Sequence, residues 1–171
     1  MVELGILHMD YVMLKTKTIL MMVIVIPIMF ACAGTQSERS ERKTDSIPIT
    51  PQRLADIAGI EWQLQKMKTD NQTIALIKDT KNTFSCDENG RVAGVATINR
   101  YFGSFSLRKE GEIIWNKAFG MTRMAGPPDL MEQESKFIQA LPLTSRVYFK
   151  NEKLVLISPD QSTLLEFDKS K

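Results

Sequence analysis

NTFSCDENGRVAGVATI, residues 82–98, carries the pattern on which the fold turns. Phe84 and Cys86 share one strand face, and the run ends in Glu88-Asn89-Gly90. Asn-Gly is a strong hairpin signal, so Arg91–Ile98 is expected to pair back on Asn82–Asp87. The rhythm repeats outward. Ile60, Trp62 and Leu64 share a face, and Ile74 and Leu76 mark another strand. Ser104–Arg108 and Glu112–Lys117 flank Lys109-Glu110-Gly111; Arg146–Lys150 and Lys153–Ser158 flank Asn151-Glu152. Pro159-Asp160 turns into Thr163–Phe167. About eight short strands at regular spacing predict a mainly β fold, an antiparallel barrel-like or strongly curved sheet.

PPDLMEQESKFIQAL, residues 127–141, breaks that rhythm. Leu130, Phe137, Ile138 and Leu141 fall on one helical face. Pro127 and Pro128 suit a helix start, and Pro142 closes it. One α-helix over about residues 127–141 is therefore expected, packed against the sheet or plugging it. Asp129, Glu132 and Glu134 suit its positive N-terminal end and are expected to form a solvated acidic turn. Glu132 and Glu134 are two apart and do not face each other, which makes them a poor catalytic dyad.

The N-terminus decides where the chain resides. Ile19–Ala31 is apolar and uncharged over 13 residues, with Lys15 and Lys17 just upstream. A bilayer-spanning helix needs roughly 20 residues, whereas a signal-peptide core takes about 7–15. Ala31-Cys32 then offers a small residue before a lipidation cysteine. Residues 1–31 are expected to be a lipoprotein signal peptide and Cys32 the lipidated N-terminus. Met29 and Phe30 depart from the usual lipobox, and an ordinary cleaved signal or an uncleaved anchor is the alternative. Met13 would open a cleaner leader than Met1. Residues 32–51, from Cys32 through AGTQSERSERKTDSIPIT at 33–50, read as a flexible tether reaching on the order of 25 Å. Ala33 after the lipidated cysteine points to the outer membrane of a Gram-negative envelope, with the domain facing the periplasm. Several acyl chains hold such an anchor stably, where one would not.

Removal of residues 1–31 from the 171 leaves 140, enough for one domain with a real core. The net charge of +2 gives no electrostatic case for nucleic acid. The single histidine, His8, lies in the leader. The mature chain therefore has no Ser-His-Asp or Cys-His scheme, and no His-ligated or Cys-rich zinc site. With Cys32 lipidated, Cys86 stands alone; its strand parity predicts a buried, inert thiol. No enzyme, cofactor or metal is expected.

Two further stretches stand out. In GVATINRYFGSF, residues 94–105, polar Asn99 and Arg100 interrupt apolar strand residues and precede Tyr101 and Gly103. Turn chemistry explains them as a structural corner; a ligand-contacting rim is the functional reading. MTRMAGPP, residues 121–128, reads as a loop entering the helix.

Taken together, the chain resembles the META domain family, which includes HslJ-type heat-shock proteins, over roughly residues 52–168. Gly59-Ile-Glu-Trp62 matches the opening Gly-x-x-Trp-like element. Gly94 through Asn99-Arg100-Tyr101, Gly103 and Phe105 matches a strand running into Gly-Cys-Asn-Arg-Tyr-x-Gly-x-Tyr. Thr122-Arg123-Met124-Ala125-Gly126-Pro127 matches Thr-Arg-Met-Ala-Cys-Pro, and Met131–Glu134 matches Met-x-x-Glu. Both family cysteines are replaced, by Ile98 and Gly126. Their joint loss hints that the 94–105 bend contacts the 121–128 loop.

The resemblance implies a compact β-rich, barrel-like domain with one helix, linked to the cell envelope and stress response. It implies no enzyme. Asn99, Arg100, Tyr101, Gly103, Thr122, Arg123, Met124 and Glu134 form the expected motif surface. The function expected is a non-catalytic binding or stress-related envelope module, with the membrane engaged through the lipid and an envelope protein as partner. The alternatives are a periplasmic binder of a small apolar ligand in a barrel cavity, and a protease-inhibitor-like module presenting loop 121–128.

Overall fold

The computed structural model describes residues 46–116 and 119–171. The leader, Cys32 and the tether up to residue 45 lie outside them. Residues 47–51, at the expected end of the tether, are structured. Ile47–Pro48 forms β1, Ile49 is fully buried, and Pro51–Asp56 is a 3₁₀ helix. A buried isoleucine flanked by prolines is enough to seat this segment on the sheet.

Ten further strands follow: β2 (Trp62–Thr69), β3 (Gln72–Ile74), β4 (Lys81–Cys86), β5 (Arg91–Thr97), β6 (Asn99–Leu107), β7 (Ile113–Trp115), β8 (Gly120–Met121), β9 (Arg146–Lys150), β10 (Lys153–Ile157) and β11 (Leu164–Lys169). All pairings are antiparallel, in the order β1-β9-β10-β11-β2-β4-β5-β6-β7, with β3 on β2 and β8 on β6. The count exceeds the expected eight partly through β1 and β8, each two residues long.

The sheet is not a closed barrel. Among the described residues the start of β9, next to β1, meets the chain just before β7 at an isolated bridge, Glu112–Arg146, beside a 2.9 Å bond from the Ile113 N–H to the Ser145 carbonyl. A sheet whose ends touch must curl round on itself, but no continuous ladder seals it.

The β4–β5 hairpin forms as the sequence predicts, across Asp87–Gly90. Asp87 accepts bonds from the N–H groups of Asn89 and Arg91 and from the Arg91 guanidinium, which together hold its carboxyl below the usual range. The next turn lies just before the polar pair Asn99-Arg100 that marks the expected bend. β5 and β6 join at Thr97-Ile98, with Ala96 opposite Asn99. The bend expected within residues 94–105 therefore falls at Thr97-Ile98, and Asn99–Gly103 is continuous strand. Thr97 adopts a φ of 59°, an unfavourable torsion for a β-branched residue, which the surrounding structure must enforce.

Helix α1 (Pro128–Ala140) packs on β5 and β2. Its Phe137 is fully buried and meets the rings of Tyr101 at 5.8 Å and Phe167 at 6.4 Å, both edge-on. Phe84 bridges to Phe105 and Phe167. Each such ring contributes roughly 1.5–3 kcal/mol by leaving water, and together they fill the space between helix and sheet. Among the described residues no helix is long and apolar enough to cross a membrane.

Candidate functional site

The buried face of α1 carries two polar residues among its apolar ones, Gln133 and Glu134. Glu134 is only 2% exposed, so it is not part of a solvated acidic turn. It lies four residues after Leu130 and three before Phe137, inside the apolar stripe. Burial there requires hydrogen-bond partners, and the β5–β6 turn supplies them. One carboxyl oxygen accepts the N–H groups of Asn99 at 2.7 Å and Ile98 at 3.2 Å. The other accepts the Asn99 side-chain amide at 2.9 Å.

Gln133 clamps the same turn from the other side. Its amide nitrogen donates to Thr97 Oγ1 at 3.1 Å and Thr80 Oγ1 at 2.9 Å, while its oxygen accepts the Ile77 N–H at 2.7 Å. Thr97 Oγ1 in turn donates to Asn82 Oδ1 at 2.8 Å. The helix thus holds the strained turn in place through side-chain bonds.

Asn99, 1% exposed, passes this rigidity on to the loop before the helix. Its Oδ1 accepts the Met124 N–H at 2.7 Å and the Thr122 hydroxyl at 2.8 Å. Its Nδ2 donates to the Met124 carbonyl at 3.1 Å as well as to Glu134. Thr122 is pinned to β6 besides: its N–H donates to the Arg100 carbonyl, and its hydroxyl accepts the Arg100 N–H, both at 3.0 Å. One amide side chain thus takes both backbone groups of Met124, in the manner of a neighbouring strand.

Seven of the eight motif residues separate into a buried and an exposed set. Asn99, Tyr101 and Glu134 are buried and form the support rather than a surface. Gly103 is half-buried beneath the Phe119 ring. Arg100, Thr122, Arg123 and Met124 are exposed, and the exposed run continues through Pro128. The Tyr101 hydroxyl donates to the Thr83 carbonyl at 2.8 Å, and burial raises its pKa. Its ring passes over Gly94, where a Cβ would strike both that ring and the Thr83 carbonyl. The expected contact between bend and loop is present: a Cβ on Gly126 would run into the Ile98 side chain. Ile98 and Gly126, the two positions that the resemblance matches to cysteines, face each other, one large and one without a side chain.

Sequence reasoning missed Gln133, Asn82 and Thr97. The only available signal was the position of Gln133 and Glu134 within the apolar helical stripe. Cys86 is buried as expected; desolvation, reinforced by Asp87, pushes its thiol up to about 12, where thiolate chemistry is suppressed.

The profile of the META domain matches residues 55–171. The chain belongs to the META domain family. No curated protein matches it. It is similar in structure to a protein from Burkholderia xenovorans solved by NMR, at 22% identity and a TM-score of 0.58, covering 72% of this chain and 90% of that one. A crystal structure of a DUF4847 family protein from Bacteroides vulgatus is more distant, at 12% identity and a TM-score of 0.48, covering 67% of this chain and 95% of that one. At such identities the Burkholderia likeness speaks to the fold alone. In this META domain Asn99, Thr122 and Glu134 fix the loop that enters the helix, while Tyr101 packs in the core.

Proposed function

We propose that this META-domain protein is a cell-envelope lipoprotein, anchored through Cys32 to the outer membrane. In this reading it acts as a non-catalytic recognition module whose contact surface is the loop Thr122–Pro127. The observation that carries the reading is the double grip of Asn99 on the Met124 backbone beneath an exposed loop. Holding an exposed loop in one conformation lowers the ordering cost of binding a partner. Tyr101, Phe84, Phe105, Phe137 and Phe167 pack against one another in the buried core, which favours display over the alternative of a cavity for a small apolar ligand. A role in envelope stress is compatible with this module.

Intact mass and fractionation of the native protein beside Cys32→Ala test the anchor. A triacyl mass increment and membrane association, both lost in the variant, are expected; a soluble product cut near Ala31 would refute lipidation. A photo-crosslinking residue placed at 125 in intact cells, beside one at exposed Leu143, tests the surface. Adducts from position 125 alone are expected; equal labelling from both positions, or none, counts against the loop.

A further inference from the structure

We infer that the loop Thr122–Pro127 is a substrate-like inhibitory loop for a trypsin-class serine endopeptidase, with Arg123 entering the specificity pocket and Arg123–Met124 as the addressed bond. The inference rests on the recognition-loop reading and names its partner.

The Met124 N–H points into the domain, onto Asn99 Oδ1. A trans peptide unit directs its C=O opposite to its N–H, so the Arg123 carbonyl points away from the domain, to solvent. The Met124 carbonyl also turns inward, to Asn99 Nδ2, which sends the Ala125 N–H outward. The chain therefore presents the Arg123 carbonyl with the residue on each side anchored: Thr122 by Arg100 and Asn99, Met124 by Asn99. An outward carbonyl is what an oxyanion hole must reach. The same geometry makes Met124 a poor specificity residue, since both its backbone groups are already taken.

Arg123 is exposed and makes no ion pair among the described residues. A trypsin-class pocket has a carboxylate at its base and complements a guanidinium. Exposed Arg100, beside the loop, adds a second positive charge to the rim.

The anchoring also explains inhibition in place of turnover. Attack by the peptidase's serine on the Arg123 carbonyl carbon forms an ester and breaks the bond to the Met124 nitrogen, which takes up the serine's proton. Asn99 then keeps the new amine beside the ester. Return of the acyl group to nitrogen, with the proton going back to the serine, competes with departure and hydrolysis.

The test is steady-state inhibition of trypsin by the full chain, purified from membranes in detergent, with chymotrypsin as the control. Competitive inhibition with a constant below about 1 µM is expected. Arg123→Ala should weaken it by about 100-fold or more, with an unchanged thermal transition because the residue is exposed. Arg123→Leu should transfer inhibition to chymotrypsin. Full trypsin activity at about 100 µM protein, or complete cleavage at Arg123–Met124 that leaves trypsin active, would overturn the inference. Crosslinks from position 125 without inhibition would sink this inference and leave the recognition-loop reading standing; loss of both would remove the loop altogether.

Discussion

Glu134 shows how much one side chain can determine. Its carboxyl accepts three N–H donors from two consecutive residues, and one of those residues holds a loop that Glu134 does not touch. Glutamine is close in size but replaces one acceptor oxygen with a donor. Whichever way its amide turns, an NH₂ faces an N–H. Glu134→Gln should therefore destabilise the domain by roughly 1–3 kcal/mol, the cost of an unmet buried donor. Denaturant titration reads this directly, and an unchanged midpoint would mean that the carboxyl's bonds carry little. The position was partly legible in the sequence. Its charge suggests a solvated helix start, while its spacing from Leu130 and Phe137 places it in the core stripe. Spacing prevails because partners for burial come from Ile98 and Asn99, residues distant in sequence. No local pattern announces such partners.

At the scale of elements, the hairpins read from their turn residues formed, whereas the turn at Thr97-Ile98 was legible only as a bend within residues 94–105. Asp87–Gly90 carries Asn-Gly, and Asn151-Glu152 joins β9 to β10. Thr97-Ile98 offers neither glycine nor asparagine, and its geometry is imposed by Gln133 and Glu134 from α1. Strands β1 and β8 are too short to carry a period. The packing of strand and loop also separates two glycines that look alike in the sequence. A methyl at Gly94 meets the Thr83 backbone carbonyl, which cannot move without disturbing the ladder. A methyl at Gly126 meets the end of the Ile98 side chain, which can turn aside. Gly94→Ala should cost about 1–3 kcal/mol or more, and Gly126→Ala less than about 1. Thermal denaturation of the two variants side by side checks the order; equal losses would show that Ile98 is as immobile as backbone.

For the whole molecule, the mainly β architecture with one helix followed from turn spacing and a single break in period. The degree of closure did not, because it depends on how far the sheet curls before Glu112 reaches Arg146. Acid stability also belongs to this scale. Asp160 accepts the hydroxyls of Ser158 and Ser162 and the Ser162 N–H, which lowers its pKa from 3.8 to about 2. A depressed folded-state value stabilises the fold above the unfolded value, and the contribution is lost as pH falls from about 4 towards 2. Asp160→Asn should therefore flatten the acid limb of the stability curve in that window and leave its shape above pH 5 unchanged. An identical acid limb in both proteins would remove Asp160 from the account.

The recognition loop needs the Met124 backbone to be held. Amide hydrogen exchange followed residue by residue measures this most directly. The N–H groups of Met124, Asn99 and Ile98 should be strongly protected, while the outward N–H of Ala125 exchanges near the rate of a free chain. In Glu134→Gln the protection of Met124 should fall along with that of Asn99. A Met124 amide exchanging as fast as that of Ala125 in the native protein would contradict the account, because the loop would then have no fixed shape to present.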